Sequence, residues 1–324
     1  MAQRRHLLAA SLGLGLAAPR LGLAAWPEKP IRLVIPFPAG GATDAVGRLL
    51  AQHLAPLLNT AVVVENRSGG GGAVGADAVA KAPADGHTLL MGTVSTHAVI
   101  PALNPRTNYD AVREFAPIGQ ICTAPNVLVA SPALPVNNVA QLIDWAKARN
   151  GQVNYASSGI GAVTHLIGEL FKLRAGIVAD HVPYRAGVQA VPDMLESRIH
   201  YLFDSVIWTL PLVREGRIKG LAVASPRRSA LAPDLPTVAE AGLPGFVGET
   251  WFALYAPAGT PGEAVARLAQ ATATVVRLPE AVAGMARFGA EAAPEVSPAA
   301  LARLQAADTA KWAEVIRSAG IKPE

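Results

Sequence analysis

The sequence of 324 residues contains one cysteine, Cys122. A lone cysteine closes no internal disulfide, and without a Cys pair or a Cys/His cluster the chain carries no zinc module. Its seven histidines (His6, His53, His87, His97, His165, His181 and His200) show neither H-x-x-x-H nor H-E-x-x-H spacing, so no metal site is expected. Aromatic residues are scarce at 5% and charged residues at 16%, against 51% apolar residues. That balance excludes a disordered or highly charged tail protein and predicts a folded, alanine-rich globule.

A single-signed charge surface is also missing. The formal charge of +4 includes Arg4, Arg5 and Arg20, which lie in a segment that reads as a leader; without them 25 basic residues face 24 acidic ones. The remaining Lys and Arg are scattered singly, which argues against nucleic-acid binding.

Residues 1–25 have the organisation of a signal peptide: basic Arg4 and Arg5, an apolar run from Leu7 to Ala18, and small residues Gly22 to Ala25 before Trp26. The run is too short to span a bilayer. The adjacent arginines suggest twin-arginine export, with general secretion or an N-terminal anchor as alternatives. Cleavage after Ala24 or Ala25 would release a soluble periplasmic chain beginning at or beside Trp26.

Behind the leader, short β-branched runs alternate with helical periodicity. Ile31 to Ile35 reads as a buried strand, and Val46, Leu49, Leu50, Leu54 and Leu57 place a helix after the PFPAGGATD loop. Further strands are expected at Ala61 to Glu65 and Thr88 to Met91. A second series has strands at Val127 to Ala130 and Val153 to Ala156, a helix from Thr164 to about Arg174, and strands near 177–182, 199–203, 218–224 and 250–256. Two helices, about 263–277 and 298–318, finish the chain. The alternation predicts an α/β fold of two lobes with a cleft between them: 26–125 plus 246–324 as one lobe, 126–245 as the other. No internal repeat of 20 to 50 residues is evident.

Ligands of open α/β sheets bind beyond the carboxyl ends of strands, which directs attention to two loops. In the first, Gly40 and Gly41 allow close backbone approach, while Thr43 or Asp44 can cap the following helix. Its free N–H groups favour a carboxylate, although a tight turn is the plainer reading. The second, SSGIGAVTH, offers Ser157, Ser158 and Thr164 as hydroxyl donors. Arg185 could supply charge to an anion or be a solvated helix-start residue. Asp204 could accept from an amino group or cap its own loop, and His165 could donate to a ligand or be a polar residue at the cleft edge. Ser157, His165 and Asp204 could be written as a hydrolase triad, but no G-x-S-x-G elbow frames a serine. Cys122 follows an apolar strand and reads as packing. The stretch Gly70 to Gly75 satisfies G-x-G-x-x-G, yet Gly92 and Thr93 stand where the ribose-binding acid of a dinucleotide fold is required, so it reads as a turn and no cofactor is expected.

These residues sit in longer stretches that resemble the tripartite tricarboxylate transporter receptors, also called the Bug family: WPEKPIRLVIPFPAGGATD, VVVENRSGGGGAVGADAVAKAPADGHTLLMG, NYASSGIGAVTHL, VPYRAG, LAVASPRRSALAPDLPTVAEAGLPGF, TWFALYAPAGTP and KWAEVIRSAGIKPE. The resemblance implies a two-lobed periplasmic solute-binding protein of the Venus-flytrap type, without enzymatic activity. It closes on a small carboxylate (a dicarboxylate or tricarboxylate, an acidic amino acid or an aromatic acid) and acts as a monomer. Carried over by motif, the first-lobe contacts are Phe37, Gly40, Gly41, Thr43 and Asp44, and the second-lobe contacts are Ser157, Ser158, Gly159, Gly161 and Thr164. Ser95, Thr96 and His97 fall where the far end of the ligand is expected, and His97, Ile160 and Ala162 are the implied selectivity positions. The implied partners are integral-membrane transporter subunits; a sensor kinase of a two-component system is the alternative.

Overall fold

The computed structural model describes residues 26–104 and 106–322. The expected leader lies outside the described residues. Among those described, no helix is long and apolar enough to cross a membrane.

Two parallel three-stranded units dominate. In the first, β1 (Ile31–Ile35) is central, with β2 (Val62–Asn66) on one side and β3 (Thr88–Thr93) on the other. Helices α1 (Ala42–Leu58) and α2 (Ala73–Ala80) make the crossovers. In the second, β5 (Asn154–Ser157) is central between β6 (Asp180–Pro183) and β7 (Tyr201–Ser205), and α5 (Val163–Ala175) follows β5. In both, successive connections leave the central strand in opposite directions, which opens a crevice at its carboxyl end. The loops expected to bind ligand follow those two central strands.

The units are joined through one long strand. A π-helical turn at Ser95–Val99 and the short α3 (Ile100–Leu103) lead into β4 (Phe115–Ala130). Phe115 to Pro125 of β4 pair with β9 (Glu249–Pro257), and β9 pairs in turn with β3. Asn126 to Ala130 pair with β7, and Val127 to Ala130 also with β8 (Lys219–Val223). The sequence pattern exposes only Val127 to Ala130 of this strand, because Pro117, Gly119 and Pro125 interrupt the earlier part. The register shifts near Gly119 and Cys122 show how β4 absorbs them.

The remaining helices are α4 (Val139–Lys147), α6 (Val191–Leu195), α7 (Val206–Arg214), α8 (Gly262–Val275), α9 (Pro279–Arg287) and α10 (Pro298–Ala319). A two-residue strand, β10 (Glu291–Ala292), pairs with β4 at Cys122 and Thr123. Cys122 is fully buried there, and burial pushes its thiol well above the ordinary range. It packs and does not react.

Candidate functional site

Strand β1 ends at Ile35 with its side chains in the core, and Pro36 stops the ladder, so the chain turns outward at Phe37. Gly40 adopts φ +84°, and a Cβ there would meet nothing within 4 Å; glycine is needed for the dihedral, not for space. Asp44 then pins the loop. Its Oδ2 accepts from the Gly40 N–H at 3.0 Å and Arg48 Nε at 2.9 Å, and its Oδ1 accepts from Asn66 Nδ2 at 3.0 Å. Burial raises the Asp44 carboxyl, but these three donors outweigh it and hold it below the ordinary value. Asn66, at the end of the neighbouring strand β2, also donates to the Phe37 carbonyl at 3.0 Å. Asp44 is therefore bound up inside the protein, while no side chain caps α1 at Gly41. The N–H groups of its first turn have no capping oxygen, and the positive end of the helix faces the crevice.

The second loop is built differently. Ser157 is fully buried, and its hydroxyl lies 2.6 Å from His181 Nε2 and 3.1 Å from the Gly159 amide. Ser158 Oγ donates to Asp204 Oδ2 at 2.8 Å and accepts from the Gly187 N–H at 3.2 Å, so its hydrogen is committed. Thr164 Oγ1 accepts from the Ser158 amide at 2.9 Å, which leaves the Thr164 hydroxyl hydrogen to be donated outward. Helix α5 has no side-chain cap from its own N-cap residue, Ala162. Instead the Val163 amide donates to Ser95 Oγ at 2.9 Å, across the crevice from the turn after β3. One of the second-loop amides is thus already held by the protein.

The two loops meet around a pocket lined by Phe37, Gly41, Ala42 and Thr43 from one side and by Ser158, Ala162, Val163 and Thr164 from the other. Thr93 and Ser95 of the β3 end, Thr250 and Phe252 of β9, and Gly187, Asp204, Ser205 and Trp208 complete its walls together with Pro38, Ala186 and Val188. Asp204 is the one ionisable residue in the lining. Its Oδ1 accepts from Trp208 Nε1 at 2.9 Å and from the Ser205 amide at 2.7 Å. Burial pushes the Asp204 carboxyl up, and the donors from Trp208, Ser205 and Ser158 offset part of that.

Of the residues expected from sequence, Phe37, Gly41, Thr43, Ser95, Ser158, Thr164, Asp204 and Ala162 line this pocket. Gly40 and Asp44 shape its first loop from behind. Ser157, Gly159 and Gly161 shape the second, outside the lining. Thr96 is fully buried, its hydroxyl bonded to the Thr93 backbone and 2.9 Å from His97 Nδ1. His97 stacks on Tyr255 at 3.7 Å and borders a separate cavity lined by Asn104 and residues 107–114. Burial lowers its pKa to about 3. Ile160 and His165 border another cavity, beside the end of α10. Arg185 is exposed and lies outside the lining.

Thr93, Trp208, Thr250 and Phe252 are lining residues that the sequence reading missed. A signal existed for Trp208: Ser205 caps α7 by accepting from the Ile207 amide, and Trp208 stands four residues after Asp204, within reach of it. The glycine run at Gly70–Gly72 is explained by the other loop. Gly71 has φ +63°, and a Cβ there would lie 2.5 Å from the Ile160 carbonyl.

The triad written from sequence is not assembled. Ser157 meets His181, whose pKa is lowered to about 3 by burial, by neighbouring His165 and by Lys172, while Asp204 binds Ser158. Among the described residues no group of His, Cys, Asp and Glu could hold a metal ion.

Comparison with known proteins agrees with this architecture. A family model described as "Tripartite tricarboxylate transporter family receptor" matches residues 46–321. Rpa4515 of R. palustris, solved with adipate, is 37% identical with a TM-score of 0.89, covering 92% of this chain and all of that one. The periplasmic binding protein BugD is 33% identical, with a TM-score of 0.88 over 92% of this chain and all of its own. MatC from Rhodopseudomonas palustris, solved with malate, is 30% identical with a TM-score of 0.85 over 90% of this chain and all of its own. The family matched is one of solute-binding receptors, not of enzymes, and these solved structures share the same two-lobed α/β fold. The chain belongs to the tripartite tricarboxylate transporter receptor family.

Proposed function

We propose that this chain captures a small carboxylate in the periplasm and delivers it to the membrane subunits of a tripartite tricarboxylate transporter. The observation that carries this reading is the uncapped first turn of α1, set in a pocket whose lining contains no cationic side chain. Main-chain N–H groups at a helix start bind a carboxylate without a salt bridge, and the Thr164 hydroxyl supplies a donor from the facing loop. Charge-assisted hydrogen bonds contribute about 1.5–3 kcal/mol each. A few of them reach the roughly 8 kcal/mol of micromolar binding. The adipate and malate held by the related receptors fit the same chemistry.

The lobes are assigned as 26–125 plus 246–324 and 126–245, with β4 and β9 carrying the connection. A ligand that touches both loops favours their approach, which couples capture to closure. Removal of residues 1–25 completes the exported protein.

A thermal-shift screen of the chain beginning at Trp26, against dicarboxylates, tricarboxylates, acidic amino acids and aromatic acids, tests this reading. At least one carboxylate is expected to raise the melting temperature in a concentration-dependent way, without being chemically altered. Stabilisation by none of these classes would contradict it.

A further inference from the structure

The turn at Gly70–Gly72 belongs to the first three-stranded unit, between β2 and α2, and lies outside the lining of the ligand pocket. Gly71 is buried there, and what covers it is main chain of the second unit. A Cβ on Gly71 would stand 2.5 Å from the Ile160 carbonyl oxygen and 3.0 Å from the Ala162 nitrogen, an obstruction that no change of rotamer relieves. Its neighbour Gly70 has nearly the same backbone conformation, φ +55° against +63°, yet a Cβ there would meet only Ala73 of its own unit, at 3.4 Å. A side chain at 71 therefore collides with the other unit, and one at 70 does not.

The turn that Gly71 faces is braced and runs straight into the pocket wall. The Ala162 N–H closes it by donating to the Gly159 carbonyl at 3.1 Å, and the Ser158 N–H ties it to Thr164 Oγ1 at 2.9 Å. It also rests on a second surface of the first unit, because a Cβ on Gly161 would meet Ile100 of α3 at 3.1 Å. An ordinary non-bonded contact is about 3.5 Å, so a methyl group at Gly71 would drive the turn back by about 1 Å. Val163 and Thr164 follow directly and move with it. The 2.9 Å bond from the Val163 amide to Ser95 Oγ does not survive such a stretch, and the Thr164 hydroxyl is drawn away from a ligand held at α1.

We infer that Gly71 is a positioning residue for ligand capture: its bare backbone is the stop on which the Gly159–Ala162 turn comes to rest, and that stop sets how closely the Thr164 donor approaches a carboxylate at α1. Gly71 acts through the facing loop and touches no ligand itself. The inference rests on the carboxylate-capture reading above and adds to it the place where the approach of the two loops ends.

The test is calorimetric titration of wild type, Gly70→Ala and Gly71→Ala with succinate, adipate, citrate, glutamate and benzoate, beside small-angle scattering with and without each acid that binds and the melting temperature of each ligand-free protein. The wild type should bind at least one of the five and contract on saturation. Gly70→Ala carries the same cost of a left-handed alanine and should bind within threefold of wild type. Gly71→Ala should bind that acid at least tenfold more weakly and keep a larger radius of gyration at saturation. Ligand-free, it should melt about 2–4 °C below Gly70→Ala, the loss of the one Val163 bond. Equal affinities of the two variants would overturn the inference, whether both matched wild type or both fell. So would a Gly71→Ala protein that contracts as fully as wild type, or one that fails to fold, since Gly71 would then serve its own unit and not the meeting of the two. A wild type that binds none of the five would instead overturn the carboxylate reading itself, and this inference with it.

Discussion

The Ser95 hydroxyl receives the backbone N–H of Val163 at 2.9 Å, so a residue from the turn after β3 caps the helix that begins on the opposite wall of the pocket. A bond of this kind both satisfies an orphan donor of α5 and ties the two walls together. Ser95→Ala removes a capping interaction of about 1 kcal/mol. The melting temperature of the ligand-free protein is expected to fall by about 2–4 °C. Carboxylate affinity should fall several-fold, because the facing walls lose a bond that holds them close. Unchanged melting and affinity would show that Ser95 contributes nothing across the crevice.

Asp204 shares the pocket with the proposed anion, and burial has already shifted it toward its protonated form. For a carboxyl whose pKa is raised on folding, the stabilising contribution is complete below the unfolded value, near 3.8, and is lost as pH rises through the folded value. Asp204→Asn removes that loss. The melting temperature of the variant relative to wild type should therefore be more favourable at pH 7.5 than at pH 4.5, and its carboxylate affinity should decline less over the same rise in pH. Parallel pH profiles for the two proteins would contradict this assignment.

The Ser157 hydroxyl is buried against His181 and Gly159, behind the pocket wall and not in it. Ser157→Ala is expected to cost about 1 kcal/mol of stability through those lost bonds. Carboxylate affinity should remain within about threefold of wild type, a change below 1 kcal/mol. Ester hydrolysis should be undetectable in both proteins. Turnover by the wild type that disappears in the variant would revive the hydrolase reading.

The strands whose apolar runs are uninterrupted were legible in the sequence almost to the residue. Ile31 to Ile35 is one such run, and Ala61 to Glu65 differs from the observed Val62–Asn66 by a single position. Strand β4 was visible only in its last quarter, because a proline or glycine inside a strand reads as a break until a partner with a compensating register shift is known. Helix α9 went unread as well, lying just past the expected end of the helix before it, and Pro211 hides α7. The two pocket loops were legible because glycine, serine and threonine after a strand have a local meaning. The division of labour within them was not: that Ser158 serves Asp204, or that Asp44 faces back into its own loop, depends on partners 46 and 22 residues away. Thr93 and Thr250 carry no local signal at all, since only the order of strands brings them to the pocket.

Gly41 decides the central claim. It is the N-cap of α1 with φ −85° and ψ 175°, and a Cβ there would come no closer than 3.6 Å to the Pro38 carbonyl, so a side chain is accommodated. Asp at this position would cap the free amides itself, a gain of a few tenths of a kcal/mol over Gly, and would put a negative charge where the ligand carboxylate is expected. The measurement is calorimetric titration of Gly41→Asp and Gly41→Ala with a carboxylate that binds the wild type, beside the melting temperature of each. The account predicts that Gly41→Asp melts at or above the wild type and binds at least a hundredfold more weakly, while Gly41→Ala binds within a few-fold of it. A stably folded Gly41→Asp with wild-type affinity would show that the carboxylate does not sit at the start of α1.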